Sequence, residues 1–363
     1  MKRDQDEKIL TGEDFRPFPI GTIVTPYQGP SRTPVAQSRP GLATYPSRLN
    51  LMAVDPSRIA VACNRVYRAG EICLAIDCRL SVSVELSDQT RITGTMRHGI
   101  VHHVLTIFNA AIGNEHNYLV EIEGREMPHL GLGSSSRLAA SVAMALNRFW
   151  GMPLDPQCLV RYLAVNHGEE THSDSNFLVP VQCIGGGGMA GIVERGFYVL
   201  SGDVTLIAQY PVDDRYRVVL AYPKDNISHD AATMMDREAE DLSRFYEIGQ
   251  AHGRDIAYHI FHHLLPAAAK GDWRSVGDVL DWYRYDLGSV AACSFSHPSF
   301  PQLAGLVRQL RIAGKADLAG PSSVGPACYL LTQKPDECVA TLIAAGFQTE
   351  KFCLIDERIG NPE

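Results

Sequence analysis

"MPHLGLGSSSRLAASVAMALNRFWG", residues 127–151, places a glycine- and serine-rich turn directly before an amphipathic helix. One face of that helix is apolar, because Leu138, Val142, Ala145 and Phe149 fall at helical spacing. Glycines in the turn permit positive φ angles and a close approach of the backbone to a ligand. Free amides at the start of a helix point outward and attract anions. The stretch therefore predicts a turn that binds phosphate or pyrophosphate.

The predicted anion-binding residues are Gly131, Gly133, Ser134, Ser135, Ser136 and Arg137. The arginine would add a fixed charge that suits phosphate oxygens bidentately. The pattern is not GxxxxGK[ST], because no lysine follows the second glycine. A serine-capped helix after a glycine turn, with no ligand, would use the same residues, and the sequence leaves that alternative open.

Composition limits the classes of function. The chain has 363 residues, 45% of them hydrophobic, and a net charge of -8 from 41 acidic and 33 basic residues. Such an acidic chain is a poor candidate for general nucleic-acid binding. No apolar run approaches the roughly 20 residues of a membrane span, and the charged start lacks a signal-peptide pattern. The nine cysteines are scattered, which is typical of reduced cytosolic thiols. We therefore expect a cytoplasmic protein without nucleic-acid or membrane partners.

The order of the predicted elements indicates an α+β fold in two halves. Residues 1–43 contain six prolines and are expected to form an arm laid over the body. Strand-like and helix-like runs alternate from Thr44 onward, rather than being segregated. The predicted domains are an N-terminal domain over residues 44–222 and a C-terminal domain over residues 223–363, with the junction near residues 210–228.

The same turn resembles the phosphate loop of the GHMP kinase superfamily, Pro-x3-Gly-Leu-Gly-Ser-Ser: in Pro128–Ser135 the sequence Gly-Leu-Gly-Ser-Ser follows the proline, with two residues between them instead of three. Two other motifs depart from the kinase pattern. The early strand motif reads YPSRLNLMAVD (45–55), and the late loop reads GPSSVGPACY (320–329) instead of a glycine-rich sequence. Five motifs in order, over about residues 44–333, resemble β-ribofuranosylaminobenzene 5'-phosphate synthases: PSRLNLMAVD, GLGSSSRLAASVAMAL, ERGFYVLSGD, YRVVLAYP and GPSSVGPACY.

This resemblance implies a two-domain GHMP-kinase-like fold and a decarboxylative C-ribosylation. Phosphoribosyl pyrophosphate would donate the sugar to the carboxylate-bearing carbon of an aromatic or heteroaromatic acid, with release of CO2 and pyrophosphate. Mg²⁺ is the implied cofactor, and relatives are often homodimers. The glycine stretch CIGGGGMAGI (183–192) lacks the arginine that the synthases carry there. A pyrazole carboxylate, as in C-nucleoside antibiotic synthesis, is therefore expected beside 4-aminobenzoate or 4-hydroxybenzoate.

Arg48, Asn50 and Asp55 are the first catalytic candidates that the resemblance implies. Arg48 and Asn50 lie two residues apart on a predicted strand and so face the same side. Arg48 would contact a phosphate or the acceptor carboxylate, and Asp55 would orient magnesium or the ribose hydroxyls. A surface ion pair at the end of a strand is the alternative. Arg65 and Arg68 are further candidates for the acceptor acid, or members of a solvated loop.

Three further groups complete the predicted site. The backbone amides of the glycine stretch would approach the acceptor or a phosphate. The alternative is that this stretch forms only a flexible hairpin. The residues of the stretch are Gly185, Gly186, Gly187 and Gly188. The late turn would bind the second anionic group, unless it is only a tight turn; its residues are Ser322, Ser323 and Gly325. One residue of a polar cluster would act as the general base, unless the cluster is only a solvated helix end and loop; its residues are His167, Glu169, Glu170, His172 and Asp174.

Two other functions remain open at this point. An ATP-dependent GHMP small-molecule kinase would share the fold and the phosphate turn. A relative without activity could bind a phosphorylated ligand as a sensor. The histidines His259, His262 and His263 share a helix face, but an ordinary helix explains them better than a metal site. The metal ligands themselves are not identifiable from the sequence.

Overall fold

The computed structural model describes residues 8–61, 66–170, 176–182, 185–193, 195–225 and 231–355. Its helices are α1 (His98–Ile112), α2 (Ser134–Phe149), α3 (Pro156–Asn166), α4 (Gly186–Met189), α5 (Ala231–His259), α6 (Leu265–Ala269), α7 (Trp273–Asp281), α8 (Phe300–Ile312) and α9 (Pro335–Ala344). Its strands are β1 (Phe18–Pro19), β2 (Gly41–Ala53), β3 (Glu71–Ser87), β4 (Arg91–Thr93), β5 (Asn117–Gly124), β6 (Gly168–Glu170), β7 (Phe177–Pro180), β8 (Phe197–Leu200), β9 (Leu206–Tyr210), β10 (Arg217–Tyr222), β11 (Leu318–Pro321), β12 (Cys328–Thr332) and β13 (Gln348–Phe352). Short 3-10 and π-helical turns connect several of them: Gly12–Phe15, Pro56–Arg58, Ile260–Leu264, Trp282–Asp286 and Ala291–Ser296.

A long central strand organises the N-terminal half. The sequence suggests two strand-like runs over residues 71–88, but alternating apolar side chains continue through both, and β3 is one strand of 17 residues. β3 pairs antiparallel with β2, β5 and β8 in a sheet ordered β4-β5-β3-β8-β9, with β2 joined to β3. Helices α1 and α2 pack together, and α2 packs on β2 and β3, so its apolar face is buried. The start of α2 is thereby held beside the sheet.

The C-terminal half is built on a four-stranded antiparallel sheet ordered β11-β12-β10-β13. Because β10 pairs with both β12 and β13, the strand belongs to this sheet. The chain therefore passes from one sheet to the other between Tyr210 and Arg217, inside the predicted junction range of 210–228. The domain boundary at residue 222 stays a prediction.

The proline-rich segment runs along the body in the residues that the structure describes. β1 pairs with β7 in a small sheet ordered β1-β7-β6, and Ile9 forms a bridge with Val61. Further along, the amides of Arg32 and Val35 donate to carbonyls at the end of α2 and beyond it. The first long strand begins at Gly41, slightly before the predicted boundary. No described helix is both long and apolar enough to cross a membrane.

Candidate functional site

The turn before α2 has the backbone conformation that its glycines predict. Gly131 and Gly133 have φ angles of 73° and 65°, and Gly133 caps the helix. The first bond of the helix runs from the Arg137 amide to the Gly133 carbonyl, over 2.9 Å. The amides of the three serines between them have no acceptor within their own helix. The turn can therefore present these amides to an anion.

An ion pair lies against this helix start. The Arg97 guanidinium donates to Glu169 and to the Ser135 hydroxyl, and its other nitrogen lies 3.3 Å from the Ser134 hydroxyl. The Ser135 hydroxyl also donates to Glu169. Burial favours the neutral carboxyl, but the Arg97 charge and the hydrogen bonds lower the pKa of Glu169 to about 2. Glu169 was predicted as part of the polar cluster, whereas Arg97, just before α1, was missed.

Arg48 and Asn50 are held at the same place by a buried carboxylate. Glu71, fully buried at the start of β3, accepts hydrogen bonds from Asn50 Nδ2 at 2.7 Å and from the Gly186 amide at 2.8 Å. Glu71 Oε2 also lies 3.4 Å from Arg48 Nε. Arg48 Nη1 in turn donates to the Gly131 carbonyl over 2.9 Å. Glu71 thus links the early strand motif, the glycine stretch and the phosphate turn.

The glycine stretch is helical rather than a flexible hairpin. Gly185 has a φ of 93° and precedes the single turn α4. A Cβ on Gly187 would lie 3.0 Å from Ser136 Cβ and 3.1 Å from the Gly133 carbonyl oxygen. The stretch therefore packs directly on the phosphate turn, and a larger residue at position 187 would disturb it.

The late turn supports the phosphate turn instead of presenting amides to a ligand. The Ser322 hydroxyl donates to the Gly131 carbonyl over 2.8 Å, which joins the two halves of the chain. The three amides of the turn all donate to protein carbonyls: Ser322 to Ala327, Ser323 to Asn50 and Gly325 to Ser322. The expected binding of a second anionic group by these amides is therefore not what the geometry favours, and the tight-turn alternative fits it better.

Arg137 is also used differently from the expectation. Its side chain is 1% exposed, and Nη1 donates to Ser47 Oγ and to the Cys78 carbonyl at 2.7 and 2.6 Å. Nη2 donates to the Arg125 carbonyl at 2.8 Å. The guanidinium thus fixes α2 to the sheet, and it does not add charge to the turn. The cation at the start of α2 is instead Arg97, whose guanidinium contacts Ser134 and Ser135.

The remaining catalytic candidates are dispersed. Asp55 accepts the Ser57 amide at 3.1 Å and caps a short 3-10 turn. Glu170 accepts the Ile100 amide at 2.9 Å near the start of α1, and burial raises its pKa. Both carboxylates therefore have structural partners.

His167 lies closer to the phosphate turn. It ends α3, is buried, and lines a small cavity with Ser136 and Gly185. The candidates Arg65, His172 and Asp174 lie outside the described residues. His259 stacks on Trp282 with ring centroids 4.3 Å apart, as expected for an ordinary packed helix.

A cavity of about 130 Å³ adjoins Arg48 and Asn50. Its lining comes from both halves of the chain: Arg48, Asn50, Ala53, Ile59, Val181, Gln182, Met235, Glu238, Phe245, Tyr283, Arg284, Ser323 and Val324. An apolar protein cavity of about 150 Å³ is known to bind benzene. The cavity therefore has the size of a single ring.

Two charged residues of this cavity were missed. Arg284 is 3% exposed and donates to the Leu51 carbonyl at 2.7 Å, which attaches it to β2. Glu238 is 7% exposed, and burial raises its pKa to about 7. A signal for Glu238 exists in the sequence, because it falls at helical spacing with Leu242 and Phe245 on the apolar face of α5.

The residues at the helix start fit a magnesium ion shared with a substrate. The described residues contain no group of three or more His, Cys, Asp or Glu side chains suited to a metal ion. Mg²⁺ commonly keeps one or two carboxylates and takes its other ligands from phosphates and water. The Glu169 carboxylate, which pairs with Arg97, and the Ser135 hydroxyl lie beside the predicted phosphate turn and would be such ligands.

Comparison with known proteins supports the resemblance to the GHMP kinase superfamily. Residues 99–186 match the family model of the GHMP kinases N terminal domain. No curated protein sequence matches significantly. Among solved structures, mevalonate diphosphate decarboxylase from Staphylococcus aureus matches with a TM-score of 0.58 and 15% identity, covering 87% of this chain and 97% of that one.

Two kinases match this chain with similar TM-scores. Homoserine kinase from Cytophaga hutchinsonii has a TM-score of 0.57 and 13% identity over 89% of this chain and 98% of its own. The Methanococcus jannaschii mevalonate kinase has a TM-score of 0.56 and 10% identity over 88% and 99%. The chain thus has the mixed α/β fold of GHMP kinases. The family model and these structures are those of kinases and a decarboxylase, and they give no support to the finer resemblance to β-ribofuranosylaminobenzene 5'-phosphate synthases.

Proposed function

We propose that the chain is a decarboxylative C-ribosyltransferase, which joins the phosphoribosyl group of phosphoribosyl pyrophosphate to the carboxylate-bearing carbon of a ring acid. The observation that carries the proposal is a single contact. Arg48 donates to the phosphate turn at Gly131 and also lines the ring-sized cavity. A diphosphate donor at the turn and a small ring in the cavity would therefore meet at Arg48.

The chemistry requires the donor C1–O bond to break with its electron pair going to pyrophosphate. The amides of Ser134, Ser135 and Ser136 would stabilise the charge that develops on this leaving group. Arg97 adds a fixed positive charge at the same helix start. Magnesium, when bound by Glu169 and Ser135, would neutralise further charge on the pyrophosphate, and one structure of this fold is a complex that contains magnesium.

Arg48 would position the two substrates. Its guanidinium is oriented by Glu71 and by the Gly131 carbonyl, so it has little freedom to move. The cavity walls contributed by Phe245, Tyr283 and Val324 would exclude water from the ring and the C1 atom. Holding both reacting carbons in line is the larger part of such a catalyst's task.

An ATP-dependent small-molecule kinase is the second candidate. The family model and the matched homoserine and mevalonate kinases favour it. In that case the same turn would bind the phosphates of ATP, and the cavity would hold the phosphoryl acceptor.

Turnover assays distinguish the C-ribosyltransferase from the ATP-dependent kinase. The protein is incubated with phosphoribosyl pyrophosphate, Mg²⁺ and a panel of aromatic and heteroaromatic acids, and in parallel with ATP, Mg²⁺ and small alcohols. Release of pyrophosphate and CO2 that depends on one ring acid supports the transferase. ADP formation that depends on an acceptor, without pyrophosphate release in the first reaction, refutes it in favour of the kinase.

A further inference from the structure

Glu238 is a buried carboxyl without an evident structural task. It lies in the first third of α5, is 7% exposed, and lines the ring-sized cavity. Among the described residues, no backbone amide or side chain donates a hydrogen bond to it. A buried carboxyl normally has hydrogen-bond partners, because removing it from water without them is costly. A partner supplied by a ligand would remove that cost.

Three other polar residues of the cavity, Arg48, Asn50 and Arg284, are already engaged. Arg48 pairs with Glu71, and Asn50 Nδ2 donates to Glu71 as well. Arg284 donates to backbone carbonyls of β2 and of the late turn. Glu238 therefore stands as an acceptor among walls that are mainly apolar and aromatic, including Phe245 and Tyr283. The arrangement selects a flat, largely apolar ligand with a hydrogen-bond donor on its edge.

We propose that Glu238 accepts a hydrogen bond from an N–H group of the acceptor ring and thereby selects, among ring acids, those that carry such a group. This inference rests on the proposed C-ribosyltransferase function, because it assigns a contact to the acceptor of that reaction. It gives Glu238 direct contact with the substrate.

The reaction also accounts for a carboxylate at this place. As the ring carbon forms its bond to C1 of the ribose, the ring loses electron density and its N–H nitrogen becomes positively charged. The nearby Glu238 carboxylate would stabilise that charge. The electron pair of the bond to CO2 then returns to the ring, which restores its neutrality as CO2 leaves. No net proton transfer is needed, and Glu238 acts by its charge alone.

Binding measurements test this without requiring turnover. Calorimetry at pH 8 compares 4-aminobenzoate with benzoate, and a pyrazole carboxylate with its N-methylated form, for the wild-type protein and for Glu238→Gln. Glu240→Gln is the matched control, because Glu240 lies on the same helix and is exposed. The N–H form of at least one pair is expected to bind about 10- to 100-fold more tightly than its partner, as for a hydrogen bond to a charged group.

Glu238→Gln should reduce that preference several-fold, because the amide oxygen still accepts a hydrogen bond but carries no charge, while its affinity for the form without N–H stays unchanged and so reports an intact cavity. Glu240→Gln should behave as the wild type. Equal affinities within both pairs, a preference that Glu238→Gln leaves undiminished, or no binding of any of the four acids would overturn the inference. If the preference is found but phosphoribosyl pyrophosphate releases no pyrophosphate, the proposed function fails while the assignment of Glu238 to an N–H ligand stands.

Discussion

Replacing Glu238 by glutamine should stabilise the protein in alkaline solution. Burial raises the pKa of this carboxyl from 4.5 to about 7, so the folded state holds its proton to a higher pH than the unfolded chain does. The stability that the protonated carboxyl contributes is fully present below the pKa of the unfolded chain and is lost as the pH rises through the pKa of the folded state. The difference of about 2.5 units between these two pKa values corresponds to a loss of at most about 3 kcal/mol at pH 8. Glutamine keeps the shape of the side chain and has no charge to bury.

Urea unfolding at pH 5 and pH 8 measures the effect. The free energy of unfolding of Glu238→Gln relative to the wild type should increase by about 2–3 kcal/mol between these two pH values. Glu240→Gln, exposed on the same helix, should show no comparable increase. Arg48 and Arg284 line the same cavity, and Asp241 and Cys293 lie near it. If the difference in unfolding free energy between Glu238→Gln and the wild type is constant or falls as the pH rises, these neighbours, and not burial, control the ionisation of Glu238.

Three further predictions concern the phosphate turn. Gly131→Ala should destabilise the protein by at least about 2 kcal/mol more than Gly113→Ala, because a Cβ at 131 would meet a carbonyl of the late turn at 2.1 Å and one at 113 meets nothing within 4 Å; equal melting temperatures would contradict this. Glu71→Gln should cost about 3–5 kcal/mol in urea unfolding, since it breaks a buried ion pair, and a loss below about 1 kcal/mol would contradict the pairing. Glu169→Gln should weaken calorimetric binding of magnesium pyrophosphate about tenfold or more, whereas Glu123→Gln, exposed on β5, should not.

The local features of the site could be predicted from the sequence. The phosphate turn follows from residues adjacent in the chain, because glycines and serines before an apolar helical stripe determine its conformation locally. The shared face of Arg48 and Asn50 follows from the two-residue period of a strand. The glycine stretch was placed at the site by resemblance, and Gly187 does pack against the turn at Ser136.

Long-range partners could not be predicted. Arg137 was expected to bind an anion because it follows the turn, but three acceptors distant in the sequence hold its guanidinium. Glu71 begins a strongly apolar strand, and nothing local indicates that Asn50 and Gly186 would meet there. Glu238 gave a partial signal, since a carboxyl on an apolar helical face is unusual. What it faces depends on how the two halves assemble.

The cavities bear on how each candidate function would use the phosphate turn. The cavity that adjoins the turn through Arg48 holds about 130 Å³. A larger cavity of about 550 Å³ is lined by the N-terminal segment, α3 and residues 202–204, and no residue of the turn is among its lining. In a kinase, the base and the ribose of the nucleotide would therefore lie outside the small cavity. In a ribosyltransferase, the small cavity would hold only the acceptor ring, and the ribose, the 5'-phosphate and the pyrophosphate of the donor would lie at the turn.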